Sequence, residues 1–384
     1  MLIENICDLC GSNNNNLIYK PIGTKRGLQV FICEDCGLVQ SFPKIDHVVE
    51  RNVMASSAAD WGNIRYGKQF RTKHDLDLLC KYISISELKN CLDVGSNRGH
   101  FIKSLFKLNN SIELWGVEPD KTICDINLIS NNRLNLINDR LENVKLPPDY
   151  FELVYLSHTL EHLKSPRLSL KQINESLKHN GLLYIEVPNI DFINSADVIE
   201  EWFIDKHLYH FSIDTLIQLI TCAGFEIVYC SDNLDTSNIS IIAKKSKNNR
   251  TQNRKSDFIS SKQLILSYEN TIKSNREKLT ELGAYLNNLG VKKKLVIWGA
   301  GRIFDTIVKI GGLDPNNVFG LIDKYLADYI NNTNGLKIYK PKDFLKLNPD
   351  VVFICSREYF NEIKNEIVEI SNKVNVLGYS ETFQ

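Results

Sequence analysis

Between residues 70 and 245 short apolar runs alternate with stretches of helical period, and this alternation constrains the fold more than any other feature. Apolar runs that are not themselves alternating must bury both faces, which a parallel sheet covered by crossover helices provides. The expected strands are 91–94, 113–118, 134–137, 151–156, 181–187, 226–230 and 240–244. A shorter series opens at Lys294-Leu-Val-Ile-Trp-Gly-Ala-Gly301, with a helix expected over 303–310 and strands over 318–322 and 351–355. Between the two series, Lys244 to Lys255 has no apolar face and reads as a solvated linker. Residues 257–289 return to a helical period, with Phe258, Leu264, Leu266, Ile272, Leu279, Leu282 and Leu286 on one broad face.

At 384 residues the chain exceeds what one core serves, so several domains are expected. The fold class is α/β: a doubly wound Rossmann-like domain over 70–245 and a second, smaller Rossmann-like domain over 291–384. A small cysteine-bearing module occupies 1–60, and a linker with a bridging helix fills 246–290.

Lys plus Arg and Asp plus Glu both total 46, so the formal net charge is zero. Nucleic acid is therefore not the expected partner, since phosphate binding leaves a basic excess. No cationic segment followed by an apolar one opens the chain, and no run of about 18 apolar residues occurs, so neither a signal peptide nor a membrane span is expected. A cytoplasmic protein is the expectation. In that setting the ten cysteines read as metal ligands and buried thiols, not as disulfides.

Four of those cysteines form Cys7-Asp-Leu-Cys10 and Cys33-Glu-Asp-Cys36, two C-x2-C pairs separated by 22 residues. Two residues between thiols let one tight turn aim both sulfurs at one metal ion, and two such turns complete a tetrahedron. Gly11 and Gly37 directly follow the pairs, where a turn of positive φ is expected. A closed set of four ligands leaves no position for water, so Cys7, Cys10, Cys33 and Cys36 are expected to hold a structural Zn2+. A redox dithiol would need only one of the pairs.

The stretch Leu92-Asp93-Val94-Gly95-Ser96-Asn97-Arg98-Gly99-His100 follows an apolar run and opens a helix. Gly95 permits a tight turn at the strand end and Gly99 a close approach of the helix. The spacing departs from G-x-G-x-x-G and does not favour a dinucleotide. Downstream, Glu118 ends the next strand, where an acid can accept both ribose hydroxyls. Asp139 follows the third strand, placed to accept from an exocyclic amine. Each acid alone reads as a helix N-cap; all three at one sheet edge, where open α/β folds bind ligands, read as a nucleotide-type site.

This series resembles class I S-adenosylmethionine-dependent methyltransferases. Phe151-Glu-Leu-Val-Tyr-Leu-Ser-His158-Thr-Leu-Glu-His162, Gly181-Leu-Leu-Tyr-Ile-Glu-Val-Pro188-Asn189 and His207-Leu-Tyr-His210-Phe-Ser212 extend the likeness. It implies S-adenosylmethionine as cofactor, with Asp93, Gly95, Ser96, Asn97 and Gly99 at the methionine end, Glu118 on the ribose and Asp139 on the adenine. With the cysteine module and the C-terminal Rossmann-like domain added, the chain resembles the sugar C-methyltransferases of deoxysugar biosynthesis.

That resemblance implies a small-molecule acceptor, a nucleotide-linked keto or deoxy sugar, methylated on carbon after a base removes the proton beside its carbonyl. Histidine suits the step because its pKa lies near neutrality. The implied catalytic residues are His207, His162 and Tyr209. Lys206 and Asp205 stand where the family carries the glutamate and first histidine of a His-Glu-His segment, and Arg51 to Ser57 lacks its tyrosines before Ser56 and Ser57. An O-methyltransferase of polysaccharide or natural-product assembly needs none of the missing residues and is the alternative. A non-catalytic zinc-containing scaffold is a further one, against which the three acids count.

Gly299-Ala-Gly301 with Asp323 gives the C-terminal domain a second candidate nucleotide turn, but Phe304 stands near the place of the third glycine. A domain that shapes the substrate cleft is expected there, not one that binds NAD.

Overall fold

The computed structural model describes residues 6–21, 24, 27–44, 67–120, 133–194, 201–231, 237–246, 256–324, 326–328, 330–356, 359–379 and 381. The 51–57 segment with Ser56 and Ser57 lies outside them, as does most of the linker. The chain divides into two compact units, the first drawn from Met1–Val53, Gly67–Ile193 and Phe203–Leu266, the second chiefly from Asn194–Trp202 and Ser267–Gln384.

The first unit opens with three short strands, β1 (Asn15–Tyr19), β2 (Gln29–Cys33) and β3 (Val39–Phe42), joined antiparallel. There follow α1 (Gly67–Leu79), β4 (Asn90–Val94), α2 (His100–Leu108), β5 (Glu113–Val117), β6 (Leu134–Ile137) and β7 (Phe151–Ser157). The unit continues with α3 (Pro166–Ser176), β8 (Leu177–Pro188), β9 (Tyr209–His210), α4 (Ile213–Cys222), β10 (Phe225–Cys230) and β11 (Asn238–Lys245). Local chemistry sets the helix starts. The Ser165 hydroxyl accepts from Leu168 N with Pro166 in the first turn of α3, and Ser212 with Thr215 closes a capping box on α4.

The large sheet runs β10-β11-β8-β7-β4-β5-β6. β8, β7, β4, β5 and β6 are parallel, as the apolar runs lead one to expect, with β4 beside the point where strand order reverses. β10 and β11 are antiparallel, and β11 lies antiparallel against β8. The physical reason is connection length. Only residues 231–237 separate β10 from β11, too few for a crossover, which takes about a dozen residues or more.

Along β7, Leu153 and Tyr155 pack into one core with Cys91, Leu114 and Ile242, while Val154 and Leu156 pack into the other with Leu92, Ile185 and Ile239. Both faces are covered, which is why these strands read as continuous apolar runs. The second of those cores also takes in Cys7, Leu9, Cys33, Cys36 and Leu38. β9 pairs with β3, Val39 opposite His210 and Gln40 opposite Tyr209, and so adds a fourth strand to the small sheet.

α5 (Phe258–Lys292) carries the chain from the first unit into the second. The second unit holds β12 (Leu295–Trp298), α6 (Arg302–Lys309), β13 (Gly320–Ile322), β14 (Asn332–Thr333), β15 (Leu336–Tyr339), β16 (Val351–Ile354), α7 (Phe360–Ile370) and β17 (Asn375–Gly378). Its sheet runs β14-β15-β13-β12-β16-β17, parallel except for β14. Among the described residues no helix is long and apolar enough to cross a membrane.

Candidate active site

The turn after β4 is built from positive-φ positions. Gly95 stands at φ +74°, Asn97 at +48° and Gly99 at +66°, the last as N-cap of α2. Gly95 N and Ser96 N both donate to Val117 O, at 2.8 and 3.2 Å. A Cβ on Gly95 would stand 2.2 Å from Thr159 Oγ1, so the loop admits only glycine there. Glu118, 4% exposed, fixes the loop from β5: Oε2 accepts from Asn97 N and Oε1 from Asp120 N, both at 2.9 Å.

Asp93 is buried on β4 beside this loop. The structure thus brings together Asp93, Gly95, Ser96, Asn97, Gly99 and Glu118. Asp139 follows β6 and is exposed, its Oδ1 accepting from Arg140 N at 2.7 Å and Asn143 Nδ2 at 2.8 Å. Among the described residues, the buried polar atoms on this sheet edge without a hydrogen-bond partner include Ser96 Oγ and the Nδ2 of Asn138. Buried groups of this kind call for a polar ligand. S-adenosylmethionine, with its hydroxyls, amine, carboxylate and adenine, fits that requirement.

The segment after β7 crosses directly over the loop. Thr159 Oγ1, the atom in contact with Gly95, donates to Val94 O at 3.0 Å. Thr159 therefore ties the Gly95 turn to the flanking His158 and to His162. His162 and His207 come together with ring centroids 5.0 Å apart. Nδ1 of His162 donates to the Lys206 carbonyl at 2.7 Å, so residue 206 contributes its backbone to this contact.

Tyr209 is brought elsewhere: it is 2% exposed, its hydroxyl donating to Lys164 O at 2.7 Å and accepting from Lys44 Nζ at 2.5 Å. His210 is buried with Ser41 Oγ 2.8 Å from Nε2, and burial lowers its pKa to about 3.

Behind the histidines lies a buried charge network that the sequence pattern does not single out. Glu161 is 1% exposed, its Oε1 3.5 Å from His158 Nδ1 and 3.6 Å from His162 Nε2. Glu186 Oε1 stands 3.2 Å from His158 Nε2 and 3.1 Å from Arg71 Nε. Burial alone would raise the Glu186 carboxyl, but His158 and Arg71 outweigh it and hold it at about 2. Burial and Arg71 oppose charge on His158, while Glu161 and Glu186 keep its pKa above the usual imidazole value. Asp75, wholly buried, accepts from Tyr155 Oη at 2.6 Å and Tyr184 Oη at 2.7 Å, and burial followed by repulsion from Glu186 pushes it up. One sequence signal for this network exists: an acid at 186 inside a fully apolar strand is expensive unless it is paired. His158 carries a second signal in three dimensions, a φ of +50° in a residue with a side chain.

The four cysteines of the small sheet converge. Cys7 Sγ lies 3.5 Å from Cys36 Sγ and Cys10 Sγ 3.5 Å from Cys33 Sγ, and all four sulfurs lie within 4.8 Å of one another. Such a cluster of thiols can hold a metal ion.

In the second unit Asp323 repeats part of the Glu118 arrangement. Its Oδ2 accepts from Ala300 N at 3.1 Å and its Oδ1 from Leu326 N at 2.8 Å.

Residues 68–229 match the family model described as "Methyltransferase domain". The chain thus carries a methyltransferase domain over these residues. Residues 291–376 of the second unit match a model described as "C2185-like, N-terminal". The ubiquinone biosynthesis O-methyltransferase, mitochondrial, of Schizosaccharomyces pombe is 24% identical over 188 residues, 45% of this chain and 66% of that protein. The chain thus spans just under two thirds of that curated relative. Among solved structures, a SAM dependent methyltransferase from Archaeoglobus fulgidus is 23% identical, covering 46% of this chain and 94% of that one at a TM-score of 0.36. An S-adenosylmethionine dependent methyltransferase from Mesorhizobium loti is 14% identical, covering 44% and 96% at a TM-score of 0.38.

Proposed function

We propose that the methyltransferase domain transfers a methyl group to a nucleotide-linked keto or deoxy sugar whose acceptor atom loses a proton at the His162–His207 pair. The observation that carries this reading is Thr159, whose hydroxyl joins the Gly95 turn to the segment bearing His162. Asp93, Gly95, Ser96, Asn97 and Gly99 would hold the methionine end of S-adenosylmethionine, Glu118 the ribose, and Asp139 with Asn138 the adenine. When bound, that cofactor supplies an electrophilic methyl group. The protein's own part is to orient acceptor and cofactor and to draw off the proton. His162 is fixed through Nδ1 by the Lys206 carbonyl, with Nε2 toward Glu161 and the half-buried His207 ring beside it. The Tyr209 hydroxyl, bonded to Lys44 and Lys164, positions β9 and with it the His207 end of the site.

Methyl transfer to oxygen is the second reading. Lys206 in place of a glutamate favours it, and the similar yeast protein is an O-methyltransferase by name. Incubation with a keto-sugar nucleotide in D2O separates the two. Carbon methylation predicts deuterium wash-in beside the carbonyl that falls about 100-fold or more in His207→Ala. Methyl transfer to a hydroxyl without wash-in would refute it.

The cysteine cluster is assigned a structural Zn2+. Sulfurs on one tetrahedral zinc stand about 3.8 Å apart at bonds of about 2.3 Å, close to the 3.5 Å seen twice here. Cys33→Ser is expected to lose that zinc and unfold β1–β3; retention of full zinc content would contradict the assignment.

A further inference from the structure

Glu161 is a buried carboxylate whose charge partners are the imidazoles of His158 and His162. Its carboxylate is buried to 1% exposure, and among the described residues neither oxygen has a hydrogen-bond partner. A buried, unbonded carboxylate is among the costliest groups a fold can carry, and it persists where a cation compensates it. His158 and His162 approach Oε1 only to 3.5 and 3.6 Å, beyond hydrogen-bonding distance.

The geometry of His162 points to the kind of cation. Its Nδ1 faces a carbonyl oxygen, which can only accept, so the ring proton sits on Nδ1. With Nδ1 so engaged, Nε2 faces a Glu161 carboxylate oxygen at 3.6 Å, a spacing that a cation held between the two would bridge. Two donors on one zinc-like ion with bonds of about 2.0–2.2 Å stand about 3.3–3.6 Å apart. The observed 3.6 Å separation has that length. His207 supplies a third donor, and the ligand atoms of Glu161, His162 and His207 all lie within 4.8 Å of one another. A backbone carbonyl fixing the far nitrogen of a metal-binding histidine is the usual outer-shell support.

We propose that Glu161, His162 and His207 bind a divalent cation of the zinc type, whose open position takes an oxygen of the methyl acceptor. Two imidazoles and one carboxylate are the donor set of open sites, whereas the four-thiolate cluster is closed. The cation binds the acceptor oxygen and lowers its pKa, so that the O–H proton, or the proton beside a bound carbonyl, leaves to water and the electron pair stays on the acceptor. The histidines then act as ligands and need not take the proton themselves. This assignment rests on the methyl-transfer reading for its role, but the site itself can be tested without it.

The test uses the full chain, dialysed against a chelator and titrated with Co2+ alone. Wild type is expected to take up one cobalt without sulfur-to-metal charge-transfer bands, showing only the weaker visible bands of nitrogen and oxygen ligands, alongside an intact cysteine-bound metal. Glu161→Gln and His207→Asn are expected to lose this uptake, halving the total metal from about two ions per chain to one. The cysteine-bound metal that each variant keeps reports that it has folded. Equal cobalt uptake in wild type and both variants, or no thiolate-free uptake in wild type, overturns the proposal. S-adenosylhomocysteine titrated into the same samples tests the methyltransferase reading separately: cobalt uptake without its binding would sink that reading and leave the metal site standing.

Discussion

The two units of this chain build the same local device and leave it in different states. In each, a central parallel strand runs into a glycine turn, and an acid at the end of the next strand accepts from a backbone N–H of that turn: Glu118 from Asn97, Asp323 from Ala300. In the first unit, Ser96 Oγ and Asn138 Nδ2 remain buried and unbonded around the device. In the second, both oxygens of Asp323 are engaged, by Ala300 and Leu326, and among the described residues no buried side-chain atom of that sheet and its loops lacks a partner. A Rossmann-like turn is thus a way to end a strand as well as a way to hold a ligand. Unsatisfied polar atoms, more than topology, tell the two apart.

The largest expected effect compares the glycines. Gly95→Ala places a Cβ 2.2 Å from Thr159 Oγ1 at a φ of +74°. Strain and overpacking together cost about 2–6 kcal/mol, read as a lowered melting temperature and lost S-adenosylhomocysteine binding. A fully stable, binding-competent Gly95→Ala would break the comparison.

Acid separates the units next. All eight histidines fall in the first unit and none in the second. Burial depresses the His210 pKa to about 3, whereas the unfolded chain takes up that proton near 6.5. The unfolded state therefore binds more protons below pH 6.5, and the stability contributed by neutral His210 is full above that pH and lost as pH falls toward 3. The slope is about 1.4 kcal/mol per pH unit in that window. Calorimetric scans between pH 6.5 and 4.5 should show the transition of the first unit falling in wild type and falling much less in His210→Gln. An identical pH dependence in the two proteins would contradict the assignment of a buried neutral imidazole.

The smallest effect is the control. A Cβ on Gly301 would meet no atom within 4 Å, and the residue has an ordinary negative φ. Gly301→Ala should change stability by no more than about 0.5 kcal/mol, measured by urea unfolding. A large loss would mean that this turn, too, is built for close approach.

Much of this was legible in the sequence, and the reasons are local. The strand at 134–137 is found where expected, and those at 91–94, 151–156 and 351–355 fall within a residue of it at each end, because buried parallel strands write themselves as apolar runs. The two C-x2-C pairs and the 95–99 turn with Glu118 were readable because their spacing is set by short loops. What was not legible depends on pairing across the chain. Nothing near Tyr209 in the sequence reports that it pairs with Gln40, so its engagement with Lys44 and Lys164 was hidden. The same holds for Glu161 and Glu186, which share His158 only once β7 and β8 lie side by side.

The most direct test of the central contrast is calorimetric titration of S-adenosylhomocysteine into wild type, Glu118→Ala and Asp323→Ala. The expected result is one site per chain, weakened about 10- to 100-fold in Glu118→Ala, as the loss of hydrogen bonds to a charged group implies, and unchanged in Asp323→Ala. No binding to wild type, or an equal loss in both variants, would contradict the account.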